Sequence, residues 1–445
     1  MTKPLPTLTE LVTQLETAVR AGDRVRALEL ARQIQQRLVR ETHELAAVER
    51  RVRELLARAG LASPPSAGME VLVDEYSNTN FDSVLYAKVG LPRELPERAV
   101  SAEFPQLERV TTPAPGVESV VYPVWFGTNR KPAADGSTFT NTRHSATTRG
   151  RADVLIPEAH KFGETGSSFR TKLKRFDLRD DTLRLQRVTP QDRDAWLGEI
   201  QQAMRDAKES GDTPHALFFL HGFNVSFEDA AIRAAQIGCD LKVPGATAFF
   251  SWPSRGSVAA YPADEATIEA SERAITDFLV EFATNCGAEK VHVIAHSMGN
   301  RGLLRALQRI AANAETRGKV KFGQIFLAAP DVDRDLFLDL ARLYPEHSER
   351  TTLYASDADL PVHLSAKLHD APRAGYFAPY SVAPGVDTVA VPDFDLDLLG
   401  HSYFAQAEAL LHDIHDLMLH GEAPARRQRI TPALAGGVSF WKLRK

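Results

Sequence analysis

The sequence predicts an α/β protein with a mostly parallel, doubly wound sheet, and two observations carry that prediction. From Pro214 onward short apolar runs alternate with helical patterns, the rhythm of a parallel sheet covered on both faces by helices. Near the middle, a β-branched run ends at Ala295–His296–Ser297–Met298–Gly299, and an amphipathic stretch through Leu303, Leu304 and Leu307 follows at once. That pattern is strand, sharp turn, helix.

The elements follow in order. Leu8, Leu11, Val12, Leu15 and Val19 line one helical face, Gly22–Asp23 interrupt it, and a second helix runs to about Leu61. Its positions Leu45, Val48, Val52 and Leu55 alternate three and four apart, as in a coiled-coil seam. Residues 1–61 are therefore expected to form a helical hairpin that braces the rest of the chain or serves as an arm for self-association. Residues 62–119 contain Pro64, Pro65, Pro92, Pro96, Pro105, Pro113 and Pro115 and read as a linker, with one short helix around Phe81–Val89. The sheet domain spans residues 120–420. It opens with strands Val120–Gly127 and Ala152–Ile156, separated by a polar loop. Further strands are expected at Ala216–Leu220, Ala246–Phe250, Lys290–Ala295, Gly323–Ala329, Thr351–Ala355 and Val386–Val391. Helices are expected at Ser226–Leu241, Ala263–Cys286, Asn300–Ala314, Arg334–Leu343, Val362–Leu368 and Ser402–His420. The basic tail, residues 421–445, reads as exposed.

Composition narrows the function. With 445 residues, 43% hydrophobic, 25% charged and a formal net charge of -5, the chain resembles a soluble globular protein with no bias toward nucleic acid. Cys239 and Cys286 are too few and too far apart for a disulfide framework or a metal knuckle, and are expected reduced and inert. No apolar stretch is long enough to span a bilayer and no signal-peptide core is visible, so a cytoplasmic location is expected.

The turn at Ser297 carries the chemistry. Small-x-Ser-x-Gly is the sequence of a nucleophile elbow, because a strained backbone at the serine leaves no room for large neighbours two residues away. Ala295 and Gly299 fill those positions. The elbow places the Met298 N–H where an oxyanion would form, and a second donor, the Phe223 N–H, is expected from His221–Gly222–Phe223–Asn224 after an earlier strand. His221 is expected to bond neighbouring backbone at the pocket rim, and Trp252 to stand as a pocket wall or fill core space. A serine needs an imidazole base and a carboxylate to orient it, both later in this architecture. Of the later histidines His347, His363, His369, His401, His412, His415 and His420, His401 lies between the last strand and last helix and suits the base best, while His412, His415 and His420 fall within a helix. Asp359 is the favoured acid, with Asp331, Asp333 and Asp357 as alternatives. Asp333 could simply cap a helix.

Five separated motifs carry a resemblance. His221–Asn224, Phe250–Ser254, Ala295–Arg301, Ala328–Arg334 and Gly400–Phe404 together resemble the bacterial α/β-hydrolase family once catalogued as a domain of unknown function, DUF900. The resemblance implies an α/β-hydrolase fold with Ser297 as nucleophile, His401 as base and Asp359 as acid, the last because Asp359–Leu360–Pro361 is similar to the acid turn of lipases. It does not reach residues 8–61. The expectation is a serine esterase or lipase-like hydrolase acting on a small acyl or ester substrate, with neither metal nor organic cofactor. The alternative is a non-catalytic scaffold of the same fold that uses residues 8–61 to bind a partner or a second copy.

Overall fold

Among the described residues eleven strands, β1 (Ser119–Pro132), β2 (Phe139–Pro157), β3 (Arg184–Gln191), β4 (His215–Leu220), β5 (Gly245–Ser251), β6 (Lys290–His296), β7 (Phe322–Ala328), β8 (Ser348–Ala355), β9 (Val386–Ala390), β10 (Ile430–Ala435) and β11 (Val438–Leu443), lie in one sheet in the order β10-β11-β9-β8-β7-β6-β4-β5-β1-β2-β3. The computed structural model describes residues 119–158, 160, 182–255, 260–357, 359–391 and 408–444. All fall in the unit Glu97–Lys445. The expected arm, linker and short helix at Phe81–Val89 lie outside the described residues.

The middle of the sheet is parallel. It comprises β4 (His215–Leu220), β5 (Gly245–Ser251), β6 (Lys290–His296), β7 (Phe322–Ala328), β8 (Ser348–Ala355) and β9 (Val386–Ala390). Every residue of β4 and of β7 is buried, as strands covered on both faces require. Among the described residues two apolar clusters sandwich the sheet. One contains Phe218, Phe250, Phe278 and Phe282; the other contains Phe219, Phe249, Phe326 and Leu411.

Seven of the described helices matter here. They are α1 (Arg193–Glu209), α2 (Phe227–Asp240), α3 (Tyr261–Asn285), α4 (Gly299–Ala312), α5 (Arg334–Leu340), α7 (Leu360–Leu368) and α8 (Glu408–His420), with α6 (Leu343–His347) a single short turn. Ser226 begins α2 with a capping box, its hydroxyl accepting the Asp229 N–H and the Asp229 carboxylate accepting back.

Three expectations are corrected. The polar stretch between the first two strands is not a loop: β1 (Ser119–Pro132) and β2 (Phe139–Pro157) form one long antiparallel hairpin, with Thr, Asn and Arg on its exposed positions. A third strand, β3 (Arg184–Gln191), and α1 follow, both unforeseen. The basic tail is not merely exposed. Its β10 (Ile430–Ala435) and β11 (Val438–Leu443) form a hairpin, and β11 joins β9 in parallel. Arg427 is buried, paired with Asp413 and donating to the hydroxyl of Tyr354 at 3.3 Å.

Candidate active site

β6 ends at His296, and the next residue, Ser297, has φ 50° before α4 begins at Gly299. A non-glycine residue in that region is strained, and such strain persists only where surroundings hold it. Here they do. The Ser297 N–H donates to the carbonyl of Ala328 at 2.9 Å, and its own carbonyl accepts the Asp331 N–H at 3.2 Å. From below, the Asn300 side chain donates to the carbonyls of Ala295 and Ser297, each at 3.0 Å.

The small residues of the motif are needed for contact. A Cβ on Gly299 would lie 2.6 Å from the carbonyl oxygens of Leu220 and His221, so the elbow and the end of β4 meet backbone to backbone. A Cβ on Gly222 would lie 2.9 Å from the Ser297 Cβ and 3.2 Å from the His296 Nδ1. The segment bearing Phe223 therefore packs directly on the serine, and Met298 is the first residue beyond it. Both side chains are buried.

That segment is braced from beneath. The His221 ring stacks on Trp252 with centroids 5.1 Å apart and donates from Nδ1 to the Gly222 carbonyl at 2.7 Å. The Trp252 indole N–H donates to the His221 carbonyl at 2.9 Å. Burial, and then the Arg130 charge, push the His221 imidazole down to about 3, so it stays neutral. His221 thus bonds the neighbouring backbone, and Trp252, expected as a pocket wall or as core filling, is fully buried and donates to the backbone it supports.

A deeper bracket was not read from the sequence. Arg130 is fully buried and donates to the Ser251 hydroxyl, the Ser254 carbonyl and the Val225 carbonyl at 2.8, 3.1 and 2.7 Å. Burial lowers its guanidinium to about 9. Asp264 accepts from the Ser254 hydroxyl at 2.6 Å and the Arg255 N–H at 2.9 Å, while burial raises its carboxyl above the usual range.

The candidate acids separate by surroundings. Asp333 caps α5, its Oδ1 accepting the N–H groups of Asp335 and Leu336 at 3.0 Å, the capping role considered for it from sequence. Asp357 is exposed. Asp331, just after β7, is buried, and both its oxygens are engaged: Oδ1 accepts the Ser365 hydroxyl at 2.5 Å and Oδ2 that of Tyr261. Burial works to raise its carboxyl, but Arg301, the two hydroxyls and Arg373 outweigh it and hold it below the usual range. Asp359 follows β8, which is separated from β6 by β7 alone. It is 2% exposed and caps α7, its Oδ1 accepting the Val362 N–H at 3.0 Å. His401 lies outside the described residues, in the segment between β9 and α8.

Tyr261, Ser365 and Arg373, which carry no local signature in the sequence, and Arg301, the last residue of the elbow motif, complete the surroundings of Asp331. Arg301, four residues past the serine, donates from Nε to the Asp331 carbonyl at 2.6 Å and pairs with Glu265. Its place in the elbow motif was the available signal. Among the described residues no cluster of His, Cys, Asp and Glu could hold a metal ion, and no helix is long and apolar enough to cross a membrane.

A strand, a strained serine and a helix, set against a glycine loop from the neighbouring strand, make an architecture that the family comparison then identifies. Residues 198–418 match the model of a family described as alpha/beta hydrolase of unknown function, DUF900. That stretch of the chain belongs to the family. The α/β-hydrolase match runs from α1 to α8 and so takes in the elbow, Asp359 and His401. No curated protein matches the chain. Solved structures similar to it include brefeldin A esterase, described as a bacterial homologue of human hormone sensitive lipase, with 12% identity and a TM-score of 0.30 over 82% of this chain and 90% of that one. Another, a protein of Agrobacterium vitis S4 assigned as a hydrolase, has 12% identity and a TM-score of 0.29 over 68% of this chain and 98% of that one.

Proposed function

We propose that the protein is a serine hydrolase that cleaves a small ester or related acyl bond through an acyl-enzyme. The observation that carries this reading is Ser297 held at φ 50° between β6 and α4 with Gly222 against its Cβ. Strain of this kind aims a hydroxyl away from the strand ends and toward substrate.

In this mechanism the Ser297 Oγ attacks the acyl carbon while His401 takes its proton. The N–H groups of Phe223 and Met298 hold the oxyanion. His401 then protonates the leaving group, the acyl–serine ester forms, and water attacks it by the same route in reverse. Asp359 orients the imidazole and stabilises its charged form. Its place after β8, its burial and its anchoring at the head of α7 support that role. Asp331 and Asp333 are committed to other bonds, as described above.

We propose self-association as the role of residues 8–61, against the alternative of a brace or lid packed on the rest of the chain. Deleting the residues before Val120 should lower the number of chains per particle in solution and leave turnover of a short p-nitrophenyl ester intact. An unchanged number of chains per particle with abolished turnover would make this segment a lid.

The direct test of the activity is a fluorophosphonate probe, which reacts with activated serines. Labelling of the parent that disappears in Ser297→Ala supports the enzyme. A parent that takes no label supports the scaffold.

A further inference from the structure

Asp331 takes no part in the chemistry just proposed, yet it bonds to both sides of the site. Its N–H donates to the Ser297 carbonyl at 3.2 Å, and its own carbonyl accepts the Arg301 Nε at 2.6 Å. This backbone is fastened to the elbow and to the first turn of α4. Its carboxylate reaches the other way, accepting the Ser365 hydroxyl at 2.5 Å and the Tyr261 hydroxyl. Ser365 belongs to α7, and the residue capping α7 is Asp359.

A helix of nine residues is marginal by itself, so tertiary anchors set where it points. The anchor here is charge-assisted: an ionised carboxylate accepts from two hydroxyls at once, with the Arg373 Nε 3.6 Å away and the Arg301 Nη2 3.5 Å away. Because a short helix moves as a body, fixing Ser365 also fixes Asp359.

We propose that Asp331 is a positioning residue for the reaction at Ser297. It ties the elbow to α7 and thereby sets the distance and direction of Asp359 from the nucleophile. The proposal rests on the reading of Asp359 as the acid. An amide at position 331 keeps the size but removes the negative charge and replaces one acceptor oxygen by a donor, so the charge-assisted pair of bonds to the two hydroxyls weakens and α7 loosens. Misplacement of about 1 Å in a catalytic group can lower a rate on the order of 100-fold.

The test is a double-mutant cycle on the full chain with p-nitrophenyl acetate as substrate. Asp331→Asn should lower kcat at least tenfold, on the scale of such misplacements, and leave KM nearly unchanged. Ser365→Ala should lower kcat less, in the same direction, and it carries the same cycle should Asp331→Asn fail to fold. In an Asp359→Ala background both substitutions should have no further effect on kcat, because residues that act through one another are not additive. Losses that multiply equally in both backgrounds would make Asp331 a general structural residue and overturn the proposal alone. An Asp359→Ala variant with undiminished kcat would remove the acid assignment, and the proposal with it.

Discussion

Gly222 and Ser297 are in contact: a methyl at position 222 would stand 2.9 Å from the serine Cβ. No real side chain tolerates that separation, so Gly222→Ala must push the loop bearing Phe223 away from the elbow. Losing one oxyanion donor costs about 100-fold or more in kcat, and a loss of that size is expected here while the circular dichroism spectrum stays that of the parent. A variant with parental kcat would mean that the Phe223 N–H takes no part.

Gly299→Ala should act on stability before activity. Its Cβ would press on two backbone carbonyls, those of Leu220 and His221, at 2.6 Å, and neither can rotate away. Overpacking of this kind costs about 1–3 kcal/mol, to be read as a lower midpoint in urea.

Arg130→Met should destabilise the fold by about 3 kcal/mol or more, because it leaves buried carbonyl acceptors and the Asp264 carboxylate without their cation. The loop after β4 depends on the same bracket, so kcat should fall as well. A parental denaturation midpoint would contradict the bracket.

Stability should decline as pH falls below about 6.5, the unfolded pKa of histidine. Burial holds both His221 and His292 down to about 3 in the folded state. His292 is paired at 3.3 Å with His215, which burial also lowers. Between those limits the unfolded chain binds more protons than the folded one, so stability is full above about 6.5 and drains as pH drops toward about 3. Each such group changes it by up to about 1.4 kcal/mol per pH unit. Melting temperature should therefore fall between about pH 7 and about pH 5, with a shallower slope in His292→Gln. A flat profile would contradict neutral buried histidines.

The central strands were legible in the sequence, since each is flanked by a helix and buried on both faces, leaving runs such as Leu217–Leu220 without a polar interruption. The elbow was legible because strain demands small residues at fixed spacing. The β1–β2 hairpin was half hidden: its stretch from Asn141 to Arg149 is almost wholly polar and largely exposed, which reads as loop although the segment is strand. The tail hairpin had a signal that composition masked. Gly436–Gly437, with φ of 58° and 76°, is a two-residue connection between paired strands, but the surrounding arginines suggested a solvated end. Partnerships across long sequence distance, such as Asp331 with Ser365 or Arg130 with Val225, leave no local pattern to read.

The proposed chemistry turns on the hydroxyl of residue 297 being an activated nucleophile. Mass spectrometry of the fluorophosphonate-treated full chain after digestion reads this out residue by residue. The expected result is one adduct, on the peptide containing Ser297, absent from Ser297→Ala and strongly slowed in His401→Ala. An unmodified parent, or an adduct on another residue, would contradict it.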